Sequence, residues 1–293
     1  MEKEKKNSFG DYKSDGHNWI TLANGEYYPD ILNDACTLYT PVLTLFDQLL
    51  RSSESSIRLF MNISNVHNGW MRVQLARVFK KYVSPATSVE MLKIKSKASE
   101  ICDHFGHKFR PINEVQAAFL TRPLPDEALC ALLWEYKDRG QKGYDLTERF
   151  FDLIRSHFPY LHIIGPERAG KDIPMSVIFK DYPKPGRPVD FALYDPKEKE
   201  FLAIGLARYD SDRGGAQEDD RTGGYHNCAD EILSYAETHG LKTKVIFLND
   251  GPGLLLGSMW NDYANLETSW PGKIMVLTLR MIPERLSIEW LHS

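Results

Sequence analysis

The sequence has no run of about 18 apolar residues, so it predicts no transmembrane helix. It has few cysteines: Cys36, Cys102, Cys130 and Cys228 are widely spaced. The start, MEKEKKNSFG, is charged and lacks the apolar stretch of a signal peptide. Together these predict reduced thiols in a cytoplasmic protein rather than a disulfide framework. There is no G-x-S-x-G elbow, no H-E-x-x-H and no G-x-G-x-x-G. That argues against an α/β-hydrolase nucleophile, a zincin helix and a dinucleotide-binding turn. Net charge is only −4, so the overall balance does not advertise nucleic-acid binding.

What is present is a 293-residue chain with 42% hydrophobic and 26% charged residues. That suffices for one large domain, or a core with a second subdomain. Charge is segregated. Trp70 to Lys97 holds seven Lys or Arg against Glu90, a local net of +6; Gly205 to Gly240 holds three Arg against eight acids, a local net of −5. A basic face beside an acidic pocket suits a polyanion and a metal ion, and two solvated helix faces of opposite sign give the same count.

Residues 1–17 read as a loose tail and 18–140 as a mostly helical region, with TPVLTLFDQLLRSS, GWMRVQLARVFKKYV, TSVEMLKIKSKASEICDHFG and LPDEALCALLWEYKDRG as helices. From 141 to 293 the pattern alternates. GYDLTERFFDLIRSHF is predicted as a helix with Asp145 as N-cap and Glu148 at capping-box spacing. YLHIIG, PVDFALYD and FLAIGLARY are predicted strands, followed by a helical region up to Gly240, which Gly223-Gly224 interrupts or spans, and by strand KTKVIFLND. A loop and helix (GPGLLLGSMWNDYANL), strand KIMVLTLRM and helix PERLSIEWLH complete the order. The fold class is α/β: an αβββαβ order, a mixed central sheet flanked by helices and a mostly helical N-terminal region.

Two local motifs are weak. Gly165 to Asp172 (GPERAGKD) matches part of a phosphate-binding loop, but Asp172 replaces the magnesium-binding hydroxyl and Pro174 interrupts the helix that should follow. Cys102, His104 and His107 lack a fourth ligand at zinc spacing. The informative stretch is Pro188 to Tyr225. Asp190 opens one strand and the next begins eleven residues later. A PD-(D/E)XK nuclease needs an acid at such a strand start, a second acid about 10–20 residues on, and a lysine two residues beyond it, to hold a hard divalent ion and position water. The acid and lysine positions fall here on Gly205 and Ala207, so the strand offers a smooth floor with room above it. Arg208 points the other way in this reading.

Tyr209–Tyr225 (YDSDRGGAQEDDRTGGY), with VQLARVFKKYVSP upstream and FLNDGPGLLLGSMW downstream, resembles a group of type II restriction endonucleases over roughly residues 70–290. The resemblance implies a PD-(D/E)XK-like core, magnesium-dependent, site-specific cleavage of double-stranded DNA, and a homodimer. Some enzymes of that fold carry the second carboxylate on the following helix, where Glu218 stands beside Asp219 and Asp220. The expected metal ligands are Asp190, Glu218, Glu148 and Asp172. Lys171 is the candidate for the missing lysine, and Gln217 for holding water or phosphate. Arg72, Arg77, Lys80, Lys81, Arg213 and Arg221 are candidate DNA contacts. The rival reading is a DNA-binding protein on a catalytically dead nuclease scaffold.

Overall fold

A computed structural model describes residues 7–137, 141–165, 172–211 and 216–293, without the side chains of 141–144 and 216–222. The chain divides into two compact units, Gly25–Arg139 and Met1–Asn24 with Gly140–Ser293.

The first unit is helical: α1 (Leu32–Arg51), α2 (Ser56–Ser64), α3 (Gly69–Tyr82), α4 (Val89–Leu92), α5 (Ala98–Phe105), α6 (Ile112–Leu120) and α7 (Glu127–Trp134). Side chains of Ser55, Asn68, Ser88 and Asp126 accept the first free backbone N–H groups of α2, α3, α4 and α7. Phe46, Phe60, Phe79 and Val115 lie in one buried cluster. The segment 87–106 differs from the single helix expected: a 3-10 turn at Lys95–Lys97 separates α4 from α5.

The second unit carries α8 (Gln141–His157), β1 (His162–Ile164), β2 (Ile173–Pro174), α9 (Met175–Ile178), β3 (Pro188–Val189), β4 (Phe191–Asp195), β5 (Glu200–Tyr209), α10 (Ala216–Thr238), β6 (Lys244–Asp250), α11 (Met259–Ser269), β7 (Ile274–Leu277), α12 (Ile282–Arg285) and α13 (Ile288–His292). The main sheet runs β1-β4-β5-β6-β7. Its first two pairings are antiparallel and the last two parallel. β2 and β3 form a separate ribbon. Phe191 rests on Phe150 and Phe151 of α8, while Phe247 meets Tyr225 of α10. Phe191 pairs with Gly205, and Gly205 with Ile246, so Phe247 faces the opposite side. Helices therefore cover both faces of a mixed sheet, and the apolar runs of β4, β6 and β7 are the buried strands this requires.

Several local expectations are corrected. The loose tail at 1–17 does not describe residues 9–17, which form a 3-10 helix at Phe9–Asn18. Phe9 is wholly buried and stacks on Trp260, its N–H donates to Glu267, and Tyr12 is buried beside it. Two aromatics in a polar segment are enough to dock it. α8 begins at Gln141, so Asp145 lies one turn inside the helix and is not its cap. α10 runs unbroken through Gly223 and Gly224. The last predicted helix splits in two, because Ser287 caps α13 afresh through Trp290 N–H.

Candidate active site

Asp190 sits at the bend between β3 and β4. Its N–H donates to Gly205 O, and its Oδ2 accepts the Ala207 N–H at 2.8 Å. The side chain thus continues the β4–β5 ladder where the backbone leaves it. Burial pushes its carboxyl above the ordinary aspartate range; the Ala207 N–H works against this, and the charge of Asp172 adds to it. A carboxylate crowded by burial and a second acid is a group that a cation would relieve.

The expected room above Gly205 is absent. A Cβ at Gly205 would lie 1.9 Å from Phe191 Cζ. The aromatic ring crosses the glycine and fills the floor, so no acid fits there. Phe191 and Gly205 face the α8 side, while Leu206 and Arg208 face the α10 side. The charges of Asp190, Arg208 and Asp210 all act on the Tyr225 phenol of α10, and that of Asp190 also acts on the buried Cys228 thiol. Arg208 faces away from Gly205 and Ala207, as its spacing in the sequence predicts, and its charge acts on the same Tyr225 phenol as that of Asp190.

Arg208 is partly exposed, and its Nε donates to Asp210 Oδ1 at 2.9 Å. Asp210 is buried and structural. It takes Tyr263 Oη on its other oxygen, while its carbonyl accepts the Gly253 N–H. Gly251 follows β6 at φ +108, and a Cβ there would lie 2.4 Å from Asp210 O, so the close chain approach needs glycine. Beside Arg208 in the ladder is Asn249, wholly buried, with neither amide atom hydrogen-bonded. A buried amide without partners is costly and marks a place for water or ligand. Neither Arg208 nor Asn249 was singled out from the sequence as a site residue. The orphaned amide has no sequence signal, whereas Arg208 stands one residue beyond Ala207, the expected lysine position.

The remaining candidates separate. Asp172 is exposed and acts on Asp190. Glu148 is exposed on α8 and, among the described residues, no hydrogen bond or ion pair links it to Asp190. Lys171 and Arg213 lie outside the described residues, as do the side chains of Gln217, Glu218 and Arg221. On α3, Arg72 is half-buried and donates to Val66 O. Arg77 donates to Gln74 and lies over the Tyr136 ring. Lys80 is half-buried and Lys81 exposed. Lys93 and Lys97 pair with Glu90 and Glu100, so home partners take up part of the basic stretch.

A small cleft on the α8 side is lined by Thr21, Asp145, Arg149 and Tyr209. The Tyr209 hydroxyl accepts the Ala23 N–H and donates to Thr21 O. Among the described residues no helix is long and apolar enough to cross a membrane. No family model matches the chain, nor does any curated protein or solved structure.

Proposed function

We propose that the protein is a magnesium-dependent, site-specific endonuclease acting on double-stranded DNA. The observation that carries this reading is the half-buried Asp190 carboxylate at the head of β4, held by the Ala207 N–H one residue before Arg208 on β5. An acid at a strand head with a cation on the neighbouring strand suits phosphodiester hydrolysis, the acid holding a metal ion and the cation meeting phosphoryl charge. The order α8-β1-β4-β5-α10-β6, with the β2–α9–β3 segment inserted between β1 and β4, supports it, since it matches the αβββαβ order expected of a PD-(D/E)XK-like core. Glu218 belongs to α10, the helix that follows β5, and its place in the sequence supports it as the carboxylate that replaces the missing strand acid.

In this reading Asp190 and Glu218 hold Mg2+, with Asp172 adding negative charge and Glu148 as an auxiliary ligand. The ion supplies Lewis-acid polarisation and a bound water of lowered pKa. Arg208, rather than Lys171, is the cation that steadies charge on the phosphoryl oxygens, and its bond to Asp210 fixes the guanidinium. Asn249 offers its unpaired amide to a water or phosphate oxygen on that face. Lys80, Lys81, Arg213 and Arg221 contact the DNA backbone, and a twofold dimer meets a symmetric site.

The test is incubation with phage DNA in Mg2+ and in EDTA. Discrete Mg2+-dependent fragments support the proposal. Intact DNA in both Mg2+ and Mn2+ contradicts it. Gly205 at the acid position favours a second reading, a DNA-binding protein without cleavage. Intact DNA together with a salt-sensitive gel shift would select that reading.

A further inference from the structure

At the far end of β4 from Asp190 a second group of ligands gathers. Asp195 ends the strand, Glu198 lies in the turn to β5, and His292 ends α13. One ligand atom from each lies within 4.8 Å of the other two. Asp195 is buried, and its Oδ1 accepts the Lys197 and Glu198 N–H groups. That fixes the carboxylate and leaves Oδ2 turned to His292 Nε2 at 3.8 Å, beyond hydrogen-bond reach. His292 Nδ1 lies 3.3 Å from Glu198 Oε1. The Tyr160 hydroxyl is buried without a hydrogen-bond partner, and the charges acting on it are those of Asp195 and Glu198. A buried hydroxyl without a partner marks a place for water, and a water carried by a cation on these acids would supply one.

We propose that Asp195, Glu198 and His292 bind one Zn2+ ion that fastens α13 to the β4–β5 turn. With metal–ligand bonds of about 2.0–2.2 Å, neighbouring ligands of a tetrahedral ion stand roughly 3.5 Å apart; the ion takes one ring nitrogen only, so the imidazole turns to set that nitrogen between the two acids, and water fills the fourth position. An imidazole with two carboxylates suits zinc, whereas Mg2+ prefers oxygen ligands and keeps its waters. β4 spans five residues, about 16 Å at a rise of ~3.3 Å, so this site and the one at Asp190 are separate. The proposal does not depend on nuclease activity.

The test titrates ZnCl2 into metal-free, full-length protein by calorimetry and follows thermal unfolding with and without Zn2+. Cys102, His104 and His107 are a rival zinc source, so the readout is the equivalent lost on substitution. The wild type is expected to bind one equivalent more than His292→Ala, and only the wild type gains thermal stability from that equivalent. Glu198→Gln, at an exposed turn position, is expected to weaken the same equivalent at least about tenfold. Asp190→Asn is expected to leave it unchanged. Equal stoichiometry and equal thermal gain in wild type and His292→Ala would overturn the proposal, as would undiminished affinity in Glu198→Gln.

Discussion

Asp190 is held by two backbone contacts in surroundings that disfavour its charged form. Its folded pKa is raised by burial, with the Ala207 N–H opposing and Asp172 adding to the rise. The sign follows directly. A carboxyl with a raised folded pKa stabilises the fold below its unfolded value, and that stability is lost as pH rises through the folded value. Metal-free protein at neutral pH therefore carries a penalty at this residue. Asp190→Asn keeps an acceptor for Ala207 N–H and removes the charge, so its thermal stability without metal is expected to equal or exceed the wild type at pH 7. Scanning calorimetry in EDTA checks this. The half-saturating Mg2+ concentration in the wild type is expected to climb as pH falls, starting above the ordinary aspartate range, because protons compete for the same oxygens.

At the scale of elements, β5 shows why part of the site was legible and part was not. The alternation in FLAIGLARY gives the strand, and Asp190 stands at the head of the strand it pairs with. Which β5 residues share its face depends on a bend between β3 and β4 and on the ring of Phe191, and neither has a sequence period. Gly205 reads from sequence as an empty acid position; in the fold it is the only residue that fits beneath Phe191. Gly205→Ala is expected to destabilise by about 3 kcal/mol, the upper end for overpacking. Urea denaturation of Gly205→Ala, Phe191→Ala and the double variant checks it. The double variant should lose less than the sum, since removing the ring frees the space. Helix ends were least legible: α8 starts a turn before its apparent cap at Asp145, and α10 passes two glycines that meet only open space.

At the scale of the whole molecule, the N-terminal segment and the C-terminal part of the chain make one unit. Phe9, Tyr12 and Ile20 join the core of the sheet unit. Asp250 at the end of β6 accepts N–H groups from Thr21, Gly251 and Leu279, which draws three separate segments together. Such long-range docking escapes local sequence patterns, because a polar stretch with two aromatics resembles a tail until its partners are placed. Phe9→Ala is expected to cost about 3–5 kcal/mol, as for a buried aromatic, against less than about 0.5 for a loose tail. The urea midpoint separates the two. The central claim is that Asp190 carries a metal for DNA cleavage. The most direct measurement is a side-by-side digest of phage DNA in Mg2+ with wild type and Asp190→Asn. The expected result is discrete fragments from the wild type and a loss of at least about a hundredfold in the variant, with its gel shift on the same DNA retained. Equal cutting by both proteins would contradict the placement of the metal.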